Sequence, residues 1–294
     1  MTKSSKKPPM VSVIIPHLDD VKNLERCLAA LESQSLSREA FEIIVADNGS
    51  ACGHRQLQKA IAGRANLVVV SERGAGPARN GGVNASHGRS LAFIDSDCVP
   101  TRDWLEEGLK ALRKHDFVGG KVVVSVNDER HVTPTEAFEK VFAFDFNNYI
   151  NRKGFTGSGN LFVPRTVFQT TGGFRNGVSE DVEWSRRTAA LGYRLGYAPR
   201  AVVSHPARRN WSELRRKWAR INRESFALML QSNAGRSRWV LRTMALPASA
   251  IVHAPRALTS RRLKGYRERL GAVGILMLCR LWRFGDALKL ALQR

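Results

Sequence analysis

The stretch Leu91-Ala92-Phe93-Ile94-Asp95-Ser96-Asp97 decides how this 294-residue chain is read, because four apolar residues of strand type run straight into two acids one residue apart. In an extended backbone residues i and i+2 face the same side, so extended geometry carried past Ile94 brings both carboxylates to one divalent cation or one ribose. Taken alone, the same text equally describes a solvated turn. Its weight comes from its surroundings.

Upstream, short β-branched runs alternate with segments of helical period: VSVII (11–15) then 20–34, FEIIVA (41–46) then 54–63, LVVV (67–70) then 77–87, and SLAFI (90–94) then 102–114. Strands separated by helices of this length imply right-handed crossovers and a mostly parallel sheet covered on both faces, an α/β class. Ligands of such sheets sit at the carboxyl ends of the strands. The residues with chemistry to offer fall at those ends: Pro16 to Asp20, Asp47-Asn48-Gly49-Ser50, Ser71 to Gly76, and Asp95-Ser96-Asp97. Beyond residue 116 the pattern loosens into FVGGKVVVSV, read as a strand pair, a helix near 134–146, and a Gly-rich loop at 154–160.

With 43% apolar residues the chain can build a substantial core, and its four cysteines, with no C-x-x-C spacing, indicate neither a zinc knuckle nor a disulfide framework. Residues 1–9 are basic and Pro-bearing and lack a signal-type apolar stretch, which predicts a disordered tail and a cytoplasmic protein. No apolar run reaches the length of a spanning helix. The net charge is +21, and residues 201–294, with 20 Lys and Arg against 4 Asp and Glu, carry +16 of it. Such a field recruits polyanions, either anionic lipid headgroups or nucleic acid. Trp211, Leu214, Trp218, Ile221 and Ser225, with arginines between, read as one face of a basic amphipathic helix. Aromatic residues are sparse among the basic ones and no nucleic-acid motif appears, so no nucleic acid is expected as partner.

Taken in series, VSVIIPHLDD, EIIVADNGS, RGAGPARNGG, AFIDSD and GGFRNGVSEDVEW resemble family 2 glycosyltransferases of the GT-A fold, a Rossmann-like α/β type, from about Val11 to His205. Departures are the His17-Leu18-Asp19 after the proline turn, and Asn48 where the family usually has a second acid. The resemblance implies a catalytic domain over 10–208, with a nucleotide-sugar half (10–115) and an acceptor half (116–208), followed by a basic helical extension over 209–294. It implies a nucleoside-diphosphate sugar donor bound by Pro16, Asp47, Arg79, Asn80 and Asp95, and a divalent cation, Mn²⁺ or Mg²⁺, held by Asp97. His205, ending AVVSH, reads as a further metal ligand or equally as a half-buried strand histidine. Gly157, Ser158, Gly159, Asn160, Glu180 and Trp184 are expected around the acceptor.

By the same resemblance Asp181 is the catalytic base, taking the proton of an acceptor hydroxyl that attacks from the face opposite the diphosphate, with inversion. Ser179 reads as an N-cap, which places Asp181 in a first helical turn where the macrodipole lowers its pKa. Burial against Trp184 and repulsion from Glu180 and Glu183 are expected to compensate. No spanning helix or extrusion motif follows His205, so the expectation is a single, non-processive transfer to a lipid-linked glycan for envelope or exopolysaccharide synthesis. The protein would then lie peripherally on the anionic inner face of the cell membrane. Ala272 to Leu281, flanked by arginines, reads as an interfacial helix or as a helix packed on the catalytic domain with a solvated basic face. Two alternatives remain: a sugar nucleotidyltransferase, although Pro16 to Asp20 holds no Gly-rich phosphate loop, and a non-catalytic nucleic-acid-binding protein.

Overall fold

Strand and helix alternate in the computed structural model, which describes residues 8–293. The first seven residues of the expected tail lie outside the described residues. In chain order the elements are β1 (Val11–His17), α1 (Val21–Glu32), β2 (Phe41–Asp47), α2 (Gly53–Ile61), β3 (Asn66–Val69), α3 (Ala75–Asn84), β4 (Ser90–Ile94), β5 (Val99–Pro100), α4 (Trp104–Ala111) and β6 (Phe117–Ser125). There follow α5 (Pro134–Phe142), α6 (Phe146–Lys153), β7 (Asn160–Pro164), α7 (Arg165–Thr171), α8 (Glu180–Ala190) and β8 (Leu195–Pro206). The last four elements are helices: α9 (Trp211–Leu230), α10 (Gly235–Met244), α11 (Leu246–Leu258) and α12 (Tyr266–Leu292). FVGGKVVVSV forms the single strand β6 rather than a pair.

The chain divides into two compact units, one of residues 1–123, 145–176 and 180–205, the other of residues 124–144, 177–179 and 206–294. In the first, the sheet order is β3-β2-β1-β4-β7-β6-β8-β5. β1 to β4 are parallel, but β7 pairs antiparallel to β4 and to β6, so the sheet is mixed rather than mostly parallel. Strand alternation divides the apolar residues between two cores. Val13, Ile15, Ile43, Val45, Ala92 and Ile94 face Leu24, Leu28 and Leu57 of α1 and α2, whereas Ile14, Ile44, Leu91 and Phe93 face Val83, Phe168 and Trp184 of α3, α7 and α8. A sheet buried on both faces explains why these strands read as continuous apolar runs.

The register positions the site. Parallel pairing sets His17 opposite Asp47 at the ends of β1 and β2, and antiparallel pairing sets Asn160 opposite Ile94, which brings the 157–160 loop beside Asp95.

In the second unit α5 starts with a capping box, Thr133 accepting from the Glu136 backbone while the Glu136 side chain accepts from the Thr133 backbone, with Pro134 at the first turn. Leu214 of α9, Ala137 of α5, Ala250 and Ala257 of α11, and Ala272, Leu276 and Cys279 of α12 share one core. The fully buried Glu139 is neutralised by Arg208 at 3.1 Å and Lys217 at 2.9 Å. Arg283 of α12 lies 3.8 Å over the Trp218 ring and donates to Asn222. Within Ala272 to Leu281 the buried face is Ala272, Leu276 and Cys279, while Leu278 and Leu281 stay exposed. No described helix is long and apolar enough to cross a membrane.

Candidate active site

Asp95 and Asp97 are brought together by a turn, not by strand alternation. β4 stops at Ile94, and the Cys98 amide donates to the Asp95 carbonyl at 3.0 Å. The turn sets one carboxylate oxygen of each acid and the Cys98 sulfur within 4.8 Å of one another. From β8, His205 points its Nε2 at Asp97 Oδ2, 3.3 Å away. Two carboxylates and an imidazole are a donor set suited to Mn²⁺ or another hard-to-intermediate divalent ion. Cys98 suits it poorly, because burial and then the charges of Asp95 and Asp97 push its thiol pKa well above the ordinary value and keep it protonated. Asp95 and Asp97 thus form a candidate cation site, with His205 against Asp97.

Arg79 of α3 ties this turn to α8. Its Nη2 donates to Asp95 Oδ1 at 2.6 Å and its Nη1 to Glu180 Oε1 at 3.1 Å, while its Nε is buried without a partner. Burial opposes its charge, but Asp95 and then Glu180 outweigh burial and raise its pKa. Arg79 and Glu180, expected on nucleotide and acceptor respectively, therefore neutralise each other and orient Asp95. Gly159 permits this arrangement: a Cβ there would lie 2.4 Å from Asp95 Oδ2.

Asp181 follows Glu180 in the first turn of α8, partly exposed and held by the Val182 amide at 2.8 Å. Burial, then the neighbouring Glu180 charge, raise its pKa from 3.8 to about 7, against the lowering pull of the Val182 amide and Arg79. The macrodipole at the start of α8 is overcome by desolvation and like charge. The compensation expected from Glu183 is absent, since that acid pairs with Arg187 at 2.9 Å and Arg175 at 3.2 Å.

At the ends of β1 and β2, Asp47 is fixed by its own loop. Ser50 Oγ donates to Asp47 Oδ1 at 2.5 Å, and the amides of Gly49 and Ser50 approach at 3.2–3.3 Å. His17 Nε2 accepts from the Asp20 amide at 3.3 Å, so the ring's other nitrogen, Nδ1–H, faces Asp47 Oδ1 at 3.3 Å. Burial would raise the Asp47 pKa, but the Ser50 and His17 hydrogen bonds outweigh it and hold the carboxyl below its usual range. Pro16 precedes this group, partly buried. Asn48 donates to the carbonyls of Val70 and Glu72 and accepts from the Gly74 amide. An aspartate could not donate those two bonds, which explains the amide here.

Several residues expected at the ligand have their side chains bonded within the protein. Asn80 spends its side chain on the Phe174 backbone, donating to the carbonyl at 2.8 Å and accepting from the amide at 2.9 Å. Trp184, expected at the acceptor, is fully buried among Phe117, Phe168 and Phe174, its Nε1 bonded to the Gly172 carbonyl. Asn160 is also fully buried, bonded to Trp104, the Lys121 carbonyl and the Ala201 carbonyl. Ser158 is buried as well, which leaves Gly157 and Gly159 as the partly exposed residues of that loop. His17 escaped the sequence reading except as a departure from the usual text. Its signal was there, because strands of equal length place it opposite Asp47.

Similarity to known proteins agrees with this geometry. The family model described as glycosyl transferase family 2 matches residues 12–174. Glycosyltransferase AglE of Haloferax volcanii is 33% identical over 223 residues, 73% of this chain and 72% of that protein. The pre-mycofactocin glycosyltransferase of Mycobacterium tuberculosis is 27% identical over 215 residues, 68% of this chain but 44% of that protein. Among solved structures, the mannosyltransferase PcManGT from Pyrobaculum calidifontis, in complex with GDP-Man and Mn²⁺, superposes with a TM-score of 0.62 at 21% identity, covering 97% of this chain and 86% of that one, which shows a shared GT-A fold. An α/β sheet whose strand ends carry Asp47, Asp95 and Asp97, and a match to the family over more than half its length, make this chain a glycosyltransferase of family 2.

Proposed function

We propose that the enzyme transfers one sugar, with inversion, from a nucleoside-diphosphate sugar to a hydroxyl of a lipid-linked glycan at an anionic membrane surface. The observation that carries this reading is geometric: Asp181 opens α8 next to Glu180, Glu180 pairs with Arg79, and Arg79 holds Asp95 beside Asp97. Burial and the Glu180 charge push the Asp181 pKa up to about 7. A base is most useful when its pKa lies near the working pH.

Asp181 accepts the proton of the acceptor hydroxyl as that oxygen forms its bond to the anomeric carbon. The bond from that carbon to the diphosphate oxygen breaks with its electron pair going to the phosphate. One base and no carboxylate nucleophile give inversion. Asp97, with His205 beside it, would hold a divalent cation, which when bound would supply Lewis-acid stabilisation to the leaving diphosphate. Asp95, held by Arg79 through Oδ1, keeps its Oδ2 against Gly159. Asp47, kept ionised by Ser50 and His17, presents a fixed acceptor to base or ribose. That PcManGT was solved with GDP-Man and Mn²⁺ supports both the donor class and the cation, the imidazole favouring Mn²⁺ over Mg²⁺.

Catalysis belongs to residues 10–208, and residues 209–294 provide a basic surface that works from the cytoplasmic side against anionic lipid. The donor test is calorimetric titration of the full chain with each nucleoside diphosphate, with and without Mn²⁺. Binding that Mn²⁺ tightens, and that Asp97→Ala no longer couples to Mn²⁺, is expected. Binding indifferent to the cation would overturn the assignment of Asp97.

A further inference from the structure

The helices α10 and α11 run almost without a break, because the joining residue Ala245 keeps a helical backbone (φ −78°, ψ −13°). One side of this rod is buried, with Trp239, Thr243, Leu246, Ala250 and Ala257 spaced by multiples close to the helical turn. The opposite side is apolar as well, yet open to solvent: Leu241 is 74% exposed, Met244 58%, Ile251 71% and Val252 72%, and Leu258 continues the stripe. A surface helix ordinarily puts charge on that side. Here no Lys, Arg, Asp or Glu occurs from Thr243 to Pro255. From Leu241 to Leu258 the stripe runs about 26 Å.

Its borders carry charge of one sign. Arg236, Arg238 and Arg242 stand at the first end and Arg256, Arg261 and Arg262 at the second, and no Asp or Glu occurs between Glu224 and Glu268. An apolar stripe bordered by arginines and free of acids fits the boundary between headgroups and acyl chains of an anionic bilayer, with aliphatic side chains in the hydrocarbon and guanidinium groups among phosphates. A second copy of the chain would set arginines against arginines. Nucleic acid would find aliphatic side chains where it needs aromatic ones for stacking.

We propose that the solvent-facing side of α10–α11, through Leu241, Met244, Ile251 and Val252, inserts into the headgroup boundary of an anionic bilayer and docks the enzyme there. This rests on the reading of a membrane-borne acceptor and moves the docking element from residues 272–281, where Ala272, Leu276 and Cys279 are buried, to residues 241–258. Full-length protein is sedimented with phosphatidylcholine vesicles containing 30 mol% phosphatidylglycerol, alongside Leu241→Ser/Ile251→Ser/Val252→Ser and, on α12, Leu278→Ser/Leu281→Ser.

The triple variant should lose at least tenfold in vesicle affinity, while the α12 variant and nucleoside-diphosphate binding stay within twofold of the parent. Parent binding with no loss in the triple variant would overturn this surface and leave the membrane reading standing. No binding by the parent would overturn both. Self-association that the triple variant abolishes, without vesicle binding, would assign the stripe to a second copy. Should the triple variant fail to fold, Ile251→Cys in a Cys52→Ser background, labelled with an environment-sensitive fluorophore, keeps the test open. A blue shift on these vesicles supports insertion, and an unchanged spectrum despite sedimentation overturns it.

Discussion

Replacing Asp181 by Asn should make the protein more stable and less active at once. Burial and the neighbouring Glu180 charge push the pKa of the native carboxyl up from 3.8 to about 7. Between those values the folded state holds a proton that the unfolded state has released, so native stability falls as pH rises through that window and levels off above it. The gap of about three units corresponds to about 4 kcal/mol if nothing around Asp181 relaxes. A side-chain amide cannot ionise and escapes this cost. The Asp181→Asn variant should therefore match the parent near pH 4 and exceed it by up to about 4 kcal/mol at pH 8. Urea unfolding at half-unit pH steps measures the difference. Transfer, assayed in parallel, should fall by about 10²- to 10⁴-fold for the lost base. A stability difference that does not change between pH 4 and 8, or transfer within threefold of the parent, would refute the reasoning.

Other perturbations follow from the same network. The rate of transfer by the parent should climb with pH and level off above a midpoint of about 7, because only ionised Asp181 accepts a proton; a flat profile from pH 5 to 8 contradicts this. In Arg79→Met that midpoint should rise, since Arg79 holds the Asp181 pKa down, and melting should show a loss of about 1–3 kcal/mol from the lost charge-assisted hydrogen bonds to Asp95 and Glu180, both of which keep access to water. Gly159→Ala, whose Cβ would crowd Asp95 Oδ2, should weaken Mn²⁺-supported nucleoside-diphosphate binding by about tenfold or more in calorimetry, with a fall in melting temperature no larger than that of Arg79→Met. Asn80→Ala should cost about 1–3 kcal/mol in urea unfolding, because it strips both hydrogen bonds from the Phe174 backbone.

The parallel half of the sheet was legible because β-branched runs and helical segments alternate with few ambiguities through residue 94. The reversal of β7 was not. A strand buried on both faces reads as the same apolar run whichever way it pairs, and NLFVP carries no mark of direction. Acids advertised themselves at strand ends, and the structure places Asp47, Asp95, Asp97 and Asp181 in one unit. What each touches was hidden. Arg79 and Asn80 are adjacent in sequence, yet one reaches Asp95 and Glu180 while the other clamps the Phe174 backbone, contacts set by packing over more than 90 residues of chain in both the Glu180 and Phe174 cases.

A large aromatic beside a candidate base suits a sugar platform and a core equally in the sequence, and the structure buries Trp184 completely. The C-terminal helices left two readings open for the same reason. Ala272 to Leu281 has the longer apolar run, but its Ala272, Leu276 and Cys279 are buried, whereas Pro247 and Pro255 broke up the text of the stripe that stays open.

The most direct test of the central claim is the anomeric configuration of the sugar at first transfer, read by proton NMR on the product formed from a nucleotide sugar that binds with Mn²⁺. A single base at Asp181 acting opposite a cation-bound diphosphate predicts inverted configuration, lost together with turnover in Asp181→Asn. Retained configuration would contradict the account.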